Sequence, residues 1–214
     1  MDALDILKKD WNKKENQNFP KLSYNDIYKM ILKKSSSIVK WIFIISLLEF
    51  SFWTIISLGI KDTDDMIRIK ETGAGTALNV LMVLSYAILF YFFYLFYTNY
   101  RKISTTDNAK ILMENILKTR RTVKHYVLFN LVFIVISTIT VLIIEFQQDE
   151  VLISKIDIAT ANGDEALLYF KIILGTCAIL AITIGLLLGF YYLIYGILLK
   201  RLNKNYNELK KIDL

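Results

Sequence analysis

Four stretches of this chain, 39–60, 77–98, 125–146 and 169–199, are almost free of charge and nearly continuous in apolar residues. The first three are 22 residues long and the fourth 31. As helices, the shorter ones reach about 33 Å and the longest about 46 Å, against a hydrocarbon core of roughly 30 Å. Helices buried inside soluble domains rarely run so apolar for so long. The chain is therefore expected to be all-α: a polytopic membrane protein built as a bundle of four transmembrane helices, with amphipathic helices at its cytoplasmic face.

The remaining charge is segregated rather than scattered, and the segregation orients the bundle. Residues 1–40 hold nine Lys, the 99–124 connection seven Lys or Arg, and the 200–214 tail five. The 61–76 connection holds three, and 147–168 together with Lys171 only two. Basic residues stay on the cytoplasmic side of short connections, so both termini are expected on the cytoplasmic side of the membrane. The net charge of +6 then needs no nucleic acid; it reflects topology and attraction to anionic membrane lipid. No cleaved signal peptide is expected, because 38 largely polar residues precede the first span. The single cysteine, Cys177, lies within the fourth span and rules out an intramolecular disulfide.

These features divide the chain into an N-terminal cytoplasmic segment 1–38, a transmembrane domain 39–199 and a basic cytoplasmic tail 200–214. In the first segment, Leu4, Leu7 and Trp11 share one face of a short helix over 2–15, with lysines elsewhere. Such a helix suits the membrane surface and would equally suit a partner. Pro20 ends it, and Ser23 with Asp26 has the spacing of a capping box that starts a second helix near Tyr24. Ser35, Ser36 and Ser37 then lead to Lys40 and Trp41, an interface anchor. A further helix is expected in the inner connection, capped by Asp107 or Thr106 and running toward Arg120 and Arg121 at the start of the third span. The segments 61–76 and 147–168 read as acidic outer loops, and no internal repeat is evident.

Glu49 is the sharpest feature. It is the only carboxyl or basic group deep in any span, and an ionised side chain at that depth costs about 2.5–3.5 kcal/mol. It must face the bundle and find a partner, or stay protonated. Ser46 and Trp53 share its helical face, and no Lys or Arg lies at its depth. Neutral partners are therefore expected: Thr138 or Ser137 in the third span, Tyr86 or Ser85 in the second, Thr183 in the fourth. The cluster of Glu49, Ser46 and Thr138 is the candidate intramembrane site, either a group for proton or ion movement, an anchor for a ligand, or hydrogen-bonded glue between helices. Asn79 and Asn130 sit near opposite membrane surfaces and are assigned to interhelical hydrogen bonds apart from Glu49.

Other patterns carry less. The aromatic run from Tyr86 to Tyr100 suits the interface where the second span leaves the membrane. Gly185 and Gly189 form a small-xxx-small pair that allows close helix approach within the bundle or between copies. Gly73 and Gly75 begin a dinucleotide-like fingerprint but lack the third glycine and the preceding strand. One histidine, His125, cannot supply the ligand sets of zinc, haem or iron enzymes. No cofactor and no catalytic set is expected.

The segment from Leu7 to Lys13, then Pro20 to Tyr24, then Ile38 to Phe43, resembles a group of uncharacterised four-span inner-membrane proteins of Bacteroidota, especially flavobacteria. Members of that group sometimes carry a label as carotene-cleaving oxygenases. The label conflicts with this sequence, because such enzymes hold iron with four histidines. The resemblance implies an inner-membrane protein and brings no functional residues with it. The function expected from the sequence is a non-enzymatic accessory, tethering or regulatory subunit that contacts a protein partner through its cytoplasmic helices. The alternative is a small transporter or channel subunit, working as a homo-oligomer and using Glu49.

Overall fold

A computed structural model of the chain describes residues 23–60, 63, 67, 74–106 and 108–212. The expected surface helix over 2–15, with Trp11, lies outside the described residues, as does Asp107. All regular structure among the described residues is helical.

The helices are α1 (Tyr24–Ile60), α2 (Ala74–Ser104), α3 (Ala109–Gln148), α4 (Glu150–Asn162) and α5 (Glu165–Tyr191). A π-helical turn (Tyr192–Gly196) then joins α5 to α6 (Ile197–Ile212). Four of these paths are long and apolar enough to cross a membrane, with α5, the π turn and α6 forming the fourth. The protein is a multi-pass, all-α membrane protein.

The helices outrun the apolar stretches that predict them. α1 is one rod of 37 residues, about 55 Å long, rather than a short helix followed by a separate span. Nothing between Tyr24 and Gly59 breaks it, since the only proline lies upstream. Ser23 opens the rod as expected, its Oγ accepting from the Asn25 amide at 3.3 Å. The serines read as a lead into the membrane lie inside the helix, and Ser35 is fully buried. α3 is likewise continuous over 40 residues. Its N-cap is Asn108, whose side chain accepts from the Lys110 and Ile111 amides at 2.8 and 3.3 Å. Asn108 therefore does what the sequence reading assigned to Asp107 or Thr106.

The 147–168 connection, expected as a loop, and the 200–214 tail are both largely helical. α4 occupies most of the 147–168 connection, capped by Asp149, whose carboxylate accepts from the Leu152 amide at 2.8 Å. It ends at Gly163 in the left-handed region with φ of 78°. The Asp164 amide reaches back to the Ala159 carbonyl at 2.8 Å, and the Gly163 amide to that of Thr160 at 3.1 Å, the six-to-one and five-to-two bonds of a Schellman stop. In the basic 200–214 tail, α6 continues as a helix to Ile212, with Leu202, Asn205 and Leu209 on one buried face.

An even number of crossings puts both ends of the described chain on one side, here the terminal face. There α1 packs against α2 and α6, and α3 against α2 and α6. Ile31, Val39, Ile103, Leu112, Ile116, Leu202 and Leu209 form one cluster near that face. Ile42, Phe92, Phe96, Val123, Tyr126, Tyr191 and Tyr195 form a second just deeper. The tight packing stops at the depth of Glu49. Toward the far face α5 leans mainly on α3 and α4, and Ile179, Ile182 and Leu186 point outward. An apolar exterior of this kind is what lipid requires.

Candidate functional site

Glu49 lies on α1 where the packed half of the bundle meets the open half. The residue is 7% exposed, and its carboxyl group is held by tyrosines from two other helical paths. The Tyr126 hydroxyl of α3 donates to Oε2 at 2.9 Å, and the Tyr195 hydroxyl of the π turn donates to the same oxygen at 3.1 Å. Tyr191, the last residue of α5, donates to Oε1 at 2.5 Å. Interhelical hydrogen bonds in membranes contribute about 0.6–1.7 kcal/mol each. Three of them therefore offset most or all of the insertion cost of the acid.

Each tyrosine is itself fixed. Tyr126 stands edge-on to Phe92 and Phe96 of α2, with ring centroids 5.6 and 5.5 Å away. Its ring also meets that of Tyr195 edge-on at 6.0 Å. Tyr191 immediately precedes the π turn and Tyr195 lies within it, their rings 5.9 Å apart. A π turn widens the helix and re-phases everything after it, and such turns recur at functional sites. Here it coincides with two of the three residues that grip Glu49.

From Glu49 a cavity of about 350 Å³ extends toward the far face between α1, α2 and α3. That volume lies within the range of small-molecule pockets, roughly 300–1,000 Å³. Its walls are aromatic and apolar, with Phe50, Trp53, Tyr86 and Phe133 prominent. Polar groups interrupt them at Ser57, Ser85, Asn130 and Ser137. The Ser137 hydroxyl is buried and has no hydrogen-bond partner among the described residues.

The structure separates the three residues grouped around Glu49 from sequence. Ser46 is fully buried, but its hydroxyl donates to the Phe43 carbonyl of its own helix at 2.8 Å. Thr138 does the same with Ile134 at 2.9 Å and lines a shallower pocket beside Glu145 and Thr176. Neither is bonded to Glu49. Of the other expected partners, Ser85, Tyr86 and Ser137 line the cavity and Thr183 does not. Asn130, assigned elsewhere from its depth, lines the same cavity as Glu49 and donates to the Tyr126 carbonyl at 3.0 Å. Asn79 is exposed.

The tyrosines that hold the acid were missed. Their signal was present: Tyr191 and Tyr195 are four residues apart, a spacing that puts both side chains on one helical face. Gly185 and Gly189 draw no helix close within the protomer, since an added Cβ at either would meet nothing within 4 Å. Trp41 is 54% exposed, as an outward-facing anchor would be. Arg120 turns inward, its Nη1 donating to Asn203 Oδ1 on α6 at 2.7 Å, whereas Arg121 is exposed. No group of three or more His, Cys, Asp or Glu that could hold a metal occurs among the described residues.

Fold and site together define a class: a four-span membrane protein with a buried, tyrosine-held carboxyl group at the inner end of an intramembrane cavity. The chain belongs to the family described as "Domain of unknown function (DUF8845)", whose family model matches residues 25–214. No curated protein and no solved structure matches it.

Proposed function

We propose that this protein is a non-enzymatic regulatory subunit that binds a small molecule in its intramembrane cavity and passes occupancy to a protein partner. The observation that carries this reading is the grip of Tyr191 and Tyr195 on Glu49 at the cavity's inner end. A ligand that reaches Glu49 competes directly with those hydroxyls. The helix that bears them runs without a break into α6, and α6 packs on α1 at the terminal face. Movement at the acid is thereby coupled to the surface that a partner would touch. Both termini lie in the cytoplasm of a bacterial inner membrane on this reading, supported by the excess of Lys and Arg on the terminal side.

The test is native mass spectrometry of the complex purified gently from its own membrane, beside a Glu49→Gln variant. The expected result is a small molecule retained by the wild type and lost from the folded variant, with a stoichiometric protein partner present. A wild-type protein that carries neither ligand nor partner overturns the proposal.

A second reading, an oligomeric transporter subunit using Glu49, is favoured by one observation: the acid stands at the end of a cavity, where a transported ion or proton would pause. Against it, Ile42, Phe92, Phe96 and Val123 pack closely on the terminal side of Glu49. Flux into proteoliposomes that disappears in Glu49→Gln would establish transport instead.

A further inference from the structure

On the terminal face, α1 and α6 are joined by a buried hydrogen bond, Asn205 Nδ2 to Ser35 Oγ at 3.0 Å. Beside this seam lies a groove of about 550 Å³. Lys33 and Lys34 of α1 and Arg201 and Lys204 of α6 line it, with Met30 and Ile38 as its apolar part. One acid, Glu208, is present, 3.9 Å from Lys204 across an exposed turn. Among the described residues that is the only ion pair in the groove. Four cations thus converge from two helices on a space that a single carboxylate does not neutralise.

The depth of the groove is informative. The apolar stretch of α1 begins at Val39, and Lys34 lies about 7.5 Å before it along the helix axis. The apolar stretch of the fourth path ends at Leu199, and Arg201 and Lys204 lie about 3 and 8 Å beyond it. The headgroup layer occupies roughly 5–7 Å outside the hydrocarbon core. The cations therefore stand at, and just outside, the level of lipid phosphates, with Ile38 at the end of the groove nearest the hydrocarbon core. Arg pairs with phosphate through two parallel N–H donors, and lysines add point charge.

We infer that the groove between α1 and α6 is a binding site for the phosphate-bearing headgroup of an anionic phospholipid, held by Lys33, Lys34, Arg201 and Lys204. The chemistry recognised is a phosphate anion. The apolar contribution of Met30 and Ile38 and the position at the bilayer surface favour a lipid over a free phosphate compound. This inference is independent of the intramembrane cavity and stands whether or not that cavity holds a ligand.

The full-length protein in neutral detergent is mixed with phosphatidylglycerol or phosphatidylcholine and examined by native mass spectrometry, with pyrophosphate as a soluble competitor. Wild type is expected to retain phosphatidylglycerol in preference, and Arg201→Gln with Lys204→Gln to lose about thirty-fold in affinity for it. Lys110→Gln with Lys118→Gln, which removes two exposed cations of α3, is expected to change nothing. Equal losses from both pairs mean diffuse surface charge and overturn the site. Tight binding of pyrophosphate without any lipid preference overturns the lipid assignment. Should the α6 pair fail to fold, as judged by circular dichroism, Lys33→Gln with Lys34→Gln provides the same test from the other wall. Unchanged lipid retention in that pair counts against the site.

Discussion

The hydroxyl of Tyr126 donates to Oε2 of Glu49 at 2.9 Å, although 77 residues separate the two in the chain. The bond ties α1 to α3 at the level where close packing gives way to the cavity. It makes the acid part of the bundle's framework as well as of the cavity wall.

A double-mutant cycle measures this tie. Tyr126→Phe and Glu49→Leu each remove the phenol bond, a loss of about 0.6–1.7 kcal/mol. The double variant should cost less than the sum, because the two changes remove the same interaction. Reversible unfolding in mixed micelles reads both numbers. Strict additivity would mean that the bond contributes nothing.

Ser35 and Asn205 make a second cross-helix contact, both side chains being buried. Ser35→Ala leaves the Asn205 amide without that partner and is expected to cost about 1–3 kcal/mol. Adding Asn205→Leu should restore part of the loss, since two apolar groups no longer strand a donor. The same unfolding measurement checks it. A double variant less stable than Ser35→Ala alone would contradict the account.

Gly163 ends α4 with φ of 78°, and an added Cβ there meets no atom within 4 Å. Gly163→Ala is therefore a pure backbone test, expected to cost about 1–2 kcal/mol from left-handed strain alone. Gly163→Asn should cost less, because asparagine tolerates that region better. Hydrogen exchange at the Asp164 amide, bonded to the Ala159 carbonyl, should speed up in the alanine variant and less so in the asparagine one.

Gly185 and Gly189 face open space within the protomer. Gly185→Leu is expected to leave protomer folding within about 0.5 kcal/mol of wild type. If copies of the chain meet on this face, the bulky side chain should dissociate them. Intact-complex mass in detergent distinguishes the two. A variant that fails to fold would show that the face is packed inside the protomer after all.

The site was half legible. Glu49 stands out because a carboxyl group in an apolar run is anomalous wherever the helix sits. Its neutral partners were expected on sound grounds, and neutral partners are what it has, but the serine and threonine chosen satisfy themselves on their own helices. Short hydroxyl side chains reach back to the carbonyl a turn earlier more readily than they reach another helix. A tyrosine hydroxyl stands too far from its own backbone to do so and must look elsewhere, which is why Tyr126, Tyr191 and Tyr195 reach the acid. The helix α4 was legible too: Asp149 at its start and Gly163 at its end are ordinary cap residues, overlooked in a stretch read as an acidic loop.

Membrane crossing needed only the order of residues, because the cost of polar groups in hydrocarbon is summed along each stretch and depends little on what lies beside it. The depth of Glu49 followed from the same count. Which side chains meet it did not, because that depends on how the helices are rotated and slid against one another. Those offsets come from the packing of Phe92, Phe96 and Tyr126, from the Ser35 to Asn205 bond, and from a π turn that re-phases the last helix. The same packing closes one half of the bundle and leaves a cavity in the other, a difference that no single stretch of sequence contains.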